Sequence, residues 1–175
     1  MANKKAVEAL NRTLQDLRDS TDIMGGMHIV SVLSGVLEEK YYYSYSEHQQ
    51  QCRWDGDPSK LVPVVGYKRV KPDENVMKEN LFKNGPLIAA INSKSMGTYT
   101  EGIDEPTDEQ CDPEELNHSV LIVGYGVTVT PERNVSYWII KNSWGADFGD
   151  KGFYYLVRGR NACGIASDVS YTFVD

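Results

Sequence analysis

Four runs in the last third of the chain restrict its fold more than anything else: HSVLIVGYGV, VSYWIIKNS, GFYYLVRG and VSYTFV. Each is apolar and β-branched or aromatic, and Gly, Pro, Asn and Asp separate them. Runs of this length and composition are strands, and in this number they make an antiparallel sheet or barrel. Upstream, LVPVVGYKRV reads as a strand and PLIAAIN as a buried one. Between them DENVMKENLFKNG reads as a short helix that Asp73 caps and Gly85 ends.

The first 60 residues have a different character. Val7, Leu10, Leu14 and Leu17 fall at helical spacing and predict an amphipathic helix over residues 5–19. Met27, Val30, Leu33, Val36 and Leu37 predict a second helix. The stretch YYYSYSEHQQQCRWDGDPSK follows neither period and reads as a long surface loop. With no repeat and no low-complexity linker, the chain is expected to be α+β, helical to residue 60 and mostly β over 61–175.

Several function classes drop out on composition. With 18 Lys and Arg against 25 Asp and Glu the formal charge is −7, and no basic cluster interrupts it, so a nucleic-acid partner is not expected. No segment approaches the roughly 20 apolar residues of a membrane-spanning helix. His28, His48 and His118 lack metal-ligand spacing, so neither a metal nor a cofactor is expected. Cys52, Cys111 and Cys163 are an odd set: one disulfide beside a free thiol, or three reduced thiols. The sequons at Asn11 and Asn134 lean towards a secreted origin, and the one at Asn117 counts least.

The segment LNHSVLIVGYG opens its apolar strand with His118. A buried histidine is ordinarily a paired core group. Downstream, however, YWIIKNSWG sets Asn142 just after a strand and two residues before Trp144. An amide there faces His118 across adjacent strands, under an indole. An amide oxygen that orients an imidazole is the third member of a Cys–His–Asn triad.

These segments, with SYWIIKNSWGADFGDKGFYYLVRG and NACGIASDVSY, closely resemble the papain-like cysteine peptidases, particularly the cathepsin L and F branch. KNGPLIAAI, PVVGYKRV, CRWDGDPSK and DIMGGM extend the likeness to roughly residues 14–175. The resemblance implies a two-lobed papain-like fold, with a truncated helical left lobe (residues 1–60) and a β-barrel right lobe (61–175) forming one compact unit around a peptide cleft. It implies that His118 is the catalytic imidazole, Asn142 its orienting amide and Trp144 the shield over both. Gly25, Gly26, Asn117 and Trp144 would contact substrate. Cys111 and Cys163 would form the right-lobe disulfide, and the location would be secreted or lysosomal.

One part of that machinery has no counterpart in the 175 residues. The family's nucleophile stands in a CGSCW-like segment roughly 130–150 residues before the histidine. Counted back from His118, that position falls at or before Met1. Cys52 matches a half-cystine, and the left-lobe positions that pair with it and with the nucleophile segment are Leu17 and Ile23. Cutting a peptidase gene would leave both of those cysteines in place, and Cys52 would then be a free thiol.

The sequence therefore reads as a papain-like pseudoenzyme with a vestigial His118–Asn142 pair. Its expected partner is a protein or peptide, in the cleft or on an exposed left-lobe face, with a homodimer through that face as the other option. Two alternatives stand beside it: a cysteine endopeptidase chain completed by a nucleophile segment on another chain, and an inhibitor, decoy or host-directed interaction protein.

Overall fold

The computed structural model describes residues 35–37 and 57–173. The helix expected over 5–19, together with Gly25, Gly26, Leu17, Ile23 and Cys52, lies outside those residues. The chain divides into two units, residues 1–67 with 172–175 and residues 68–171.

In the first unit, β1 (Gly35–Leu37) pairs antiparallel with β2 (Leu61–Pro63), placing Gly35 opposite Pro63 and Leu37 opposite Leu61. This corrects the sequence reading, which put Val36 and Leu37 in a helix. Three residues are too few for a hydrophobic period to hold against strand pairing. The pairing also requires Gly35, because a Cβ there would lie 2.6 Å from the Val62 carbonyl oxygen. Asp57 caps a single turn at Pro58–Lys60 by accepting from the Ser59 N–H at 3.0 Å.

The remaining strands are β3 (Gly66–Val70), β4 (Leu87–Ile91), β5 (His118–Val129), β6 (Asn134–Lys141), β7 (Phe153–Val157) and β8 (Val169–Phe173). They form one six-stranded sheet in the order β3-β8-β4-β5-β6-β7. The expected LVPVVGYKRV strand is thus two strands, β2 and β3, broken at Val64 and Val65. Helix α1 (Glu74–Asn84) follows its sequence signals closely. Asp73 Oδ1 accepts from the N–H groups of Asn75 and Val76 at 2.9 and 3.3 Å, and Gly85 ends the helix.

The core of the second unit is apolar and continuous. All five residues of β4 are buried, as its unbroken apolar run requires, and Met77 of α1, Ile122, Trp138, Ile140, Leu156 and Ile165 are fully buried. Among the described residues one carboxylate enters this core. Glu74 accepts from Trp138 Nε1–H at 2.7 Å, from the Gly159 N–H at 2.9 Å and from the Asn161 N–H at 2.7 Å. The start of α1 is thereby tied to β6 and to the turn after β7 by three charge-assisted bonds.

A second tie is the expected disulfide between Cys111 and Cys163, 52 residues apart. Ser95 Oγ lies 3.6 and 3.5 Å from the two sulfurs and 3.0 Å from the Tyr154 hydroxyl, which donates to Asp104 at 2.6 Å. Burial, and then the hydrogen bond to the Asp104 carboxylate, push the Tyr154 phenol well above the usual tyrosine range. It therefore stays a donor at any working pH.

Two stability predictions follow from these ties. Glu74→Ala strands one buried donor and two part-buried ones and should cost about 2 kcal/mol or more in urea unfolding, with Glu74→Gln recovering part of it. Replacing Cys111 and Cys163 together by alanine should cost about 4 kcal/mol in the same assay, from the entropy of a loop of this length. A loss under about 1 kcal/mol in either case would refute the role given to that tie.

Candidate active site

His118 is the first residue of β5 and stands opposite Ile91, the last residue of β4. The Asn117 N–H donates to the Ile91 carbonyl at 3.1 Å, so the backbone is held on the histidine's N-terminal side as well. Asn142 follows the last residue of β6, and its own N–H donates to the Gly152 carbonyl at 3.0 Å. Gly152 in turn donates to the Phe148 carbonyl at 2.7 Å and has φ of 90°, a conformation that disfavours side chains. The turn from Asn142 to Phe153 is therefore closed by its own hydrogen bonds before any side chain is considered.

His118 Nε2 and Asn142 Oδ1 are 2.9 Å apart, and both residues are buried. The Ser143 N–H also donates to that oxygen, at 2.8 Å, which fixes the amide's orientation. An amide oxygen only accepts, so Nε2 carries the proton, and Nδ1 is the basic nitrogen of the neutral ring. The Trp144 ring lies 5.1 Å from the imidazole at a tilt of 31°, and Phe148 meets Trp144 edge-on at 5.1 Å. Trp144 is 41% exposed, so it stands as a lid with one face to solvent. Keeping water off the amide–imidazole bond strengthens it. The amide's other end, Asn142 Nδ2, is buried and has no hydrogen-bond partner among the described residues.

The structure thus brings together His118, Asn142 and Trp144 as the sequence motifs indicate. Asn117 is exposed and engaged by a neighbouring turn. Its Oδ1 accepts from both the N–H and the hydroxyl of Ser93 at 2.9 Å, and its Nδ2 points to Asn92 Oδ1 at 3.5 Å. The hydrogen bonds of Asn117 go to its own chain. Asn92 is buried, donates from Nδ2 to the Asp112 carbonyl at 3.0 Å and from its backbone to the Cys163 carbonyl at 2.9 Å. The entry to the histidine strand is in this way linked to the disulfide.

Sequence reasoning passed over Asn92, Phe148 and Glu74. A polar residue closing the apolar run LIAAI and a second aromatic in WGADFG were the available signals for the first two. Nothing in the sequence distinguishes Glu74 from an ordinary first-turn acid. Gly25, Gly26 and Cys52 lie outside the described residues.

A buried imidazole held in one orientation by an amide beneath an indole has the geometry of a general base. The comparisons with known proteins identify the family. The family model "Papain family cysteine protease" matches residues 23–173. Cysteine proteinase 15A of Pisum sativum is 44% identical over 140 residues, 78% of this chain and 37% of that protein. Cathepsin F of Mus musculus is 38% identical over 141 residues, 81% of this chain and 29% of that protein.

Among solved structures, digestive procathepsin L 3 of the Tenebrio molitor larval midgut superposes with a TM-score of 0.77 at 30% identity, over 93% of this chain and 54% of that one. The bromelain protease of Ananas comosus, solved with the E64 inhibitor, superposes at 0.73 with 26% identity, over 92% of this chain and 77% of that one. The chain belongs to the papain family of cysteine proteases and has its α+β fold. It spans well under half the length of the curated relatives quoted.

The contact between the His118 and Trp144 rings gives a spectroscopic prediction. An imidazole packed against an indole perturbs its emission, so His118→Ala should change the tryptophan fluorescence of the protein, and in a Trp144→Phe background the same substitution should leave it unchanged. An equal effect in both backgrounds, or none in either, would mean the two rings do not meet in solution.

Proposed function

We propose that this polypeptide is a papain-family pseudoenzyme that binds a peptide or protein segment beside His118 and Trp144 without hydrolysing it. The observation carrying this reading is the disposition of its three cysteines. Cys111 and Cys163 are bonded to each other, so neither sulfur is a nucleophile. Cys52 matches a half-cystine of the family. Leu17 and Ile23 at former half-cystine positions support divergence of the left lobe away from the bridged, catalytic form. In this reading no thiol meets Nδ1, so that base has no proton to take and no acyl-enzyme forms.

The shape of what remains favours binding. Trp144 offers an exposed indole face next to a buried imidazole, an apolar surface beside a hydrogen-bonding ring. A peptide backbone or side chain satisfies both.

A second reading rests on the intact orientation of His118 by Asn142. That geometry serves a peptidase whose nucleophile segment is supplied separately. Native mass spectrometry on source material would reveal a stably bound, cysteine-bearing companion if this reading holds.

The test of the leading reading is hydrolysis of a dipeptidyl fluorogenic substrate at mildly acidic pH with a mild thiol reductant, alongside labelling by a thiol-directed epoxide. Activity should lie on the order of 10⁶-fold below a working peptidase, as removal of a nucleophile dictates. The epoxide should label no residue other than Cys52. Turnover that disappears in His118→Ala would overturn the proposal.

A further inference from the structure

We infer that Asn134 is an N-glycosylation site and that its glycan covers the exposed valines of the β5–β6 ribbon. Three Asn-x-Ser/Thr triplets occur in the chain, at Asn11, Asn117 and Asn134. Asn11 lies outside the described residues. The structure separates the other two.

Asn117 is exposed, as Asn134 is, but its side chain is engaged by two hydrogen bonds from Ser93 and it directly precedes the buried His118. Asn134 is exposed, opens β6, and its side-chain amide makes no hydrogen bond among the described residues. The turn before it is closed by the Thr130 N–H donating to the Arg133 carbonyl at 2.9 Å and by the Arg133 N–H donating to Thr130 Oγ1 at 3.1 Å. The acceptor amide therefore sits on a rigid, outward hairpin end.

Its surroundings supply an independent argument. β4 pairs with β5 only as far as Ile122, so the distal half of β5 has β6 alone beside it among the described strands. In that ribbon Val129 stands opposite Asn134, and Val127 opposite Ser136. Directly opposed residues share a face, so both valines flank the acceptor amide. They are 76% and 54% exposed. Two bare valines on a two-stranded edge invite pairing with other chains, and a sugar anchored opposite Val129 lies where it blocks that contact.

The compartment is consistent as well. The buried Cys111–Cys163 disulfide places folding in an oxidising lumen, where the glycan donor, a lipid-pyrophosphate-linked oligosaccharide, is also used. In the transfer, Asn134 Nδ2 forms a bond to the anomeric carbon of the first N-acetylhexosamine. The bond from that carbon to the pyrophosphate oxygen breaks, the lipid pyrophosphate leaves with the electron pair, and the amide proton passes to a base of the transferase.

The experiment is intact-mass analysis of the full chain secreted from a eukaryotic host, before and after peptide N-glycosidase in ¹⁸O water. A glycan should be present at Asn134, leaving ¹⁸O-labelled aspartate there after release. It should be lost in both Asn134→Gln and Ser136→Ala, and Asn117 should be bare. A secreted, disulfide-bonded chain with Asn134 unmodified would overturn the inference, as would a glycan on Asn117. The covering role predicts that Asn134→Gln self-associates more than the wild type, and that adding Val127→Thr and Val129→Thr reverses this. Equal self-association with and without the glycan would refute that part.

Discussion

The pairing of β5 with β4 on one edge and β6 on the other is the constraint on which the rest depends. It sets His118 against Ile91 at the mouth of the sheet, and it runs β6 back so that Asn142 emerges alongside. The 2.9 Å contact between imidazole and amide is a consequence of that register, because a slip of one residue would turn either side chain to the opposite face. The pairing is itself secured from two directions. Glu74 binds α1 to Trp138 of β6, and the Cys111–Cys163 disulfide fastens the segment through Asn92 that leads into Asn117 and His118.

Much of this was legible in the residues. β-branched and aromatic runs between turn residues marked β4 to β8, and Asp73 with Gly85 marked α1, because strand composition and helix capping are local effects. The histidine, amide and indole were legible for a different reason. Their types and order matter chemically, so the motif survives in one dimension.

What escaped the sequence was nonlocal. Val36 and Leu37 fit a helical period, yet a partner strand 26 and 24 residues onward claims them: Val36 pairs with Val62 and Leu37 with Leu61. Glu74 looks like any acid in a first helical turn until Trp138, Gly159 and Asn161 close around it. Asn117 gives no local sign that its side chain is held to a turn 24 residues back by two hydrogen bonds from Ser93. In each case the deciding partner is distant in sequence, and no window of neighbouring residues contains it.

On the proposed reading, the oriented His118 ring and the exposed face of Trp144 form a surface for recognition. The measurement that bears most directly on this is ¹⁵N NMR of the Trp144 indole and the His118 ring during titration with short peptides, with the peptides recovered intact or cut from the same sample. Saturable shifts of both signals, with every peptide recovered intact, are the expected result. Unmoved signals at saturating peptide, or cleaved peptide in the tube, would contradict capture without hydrolysis.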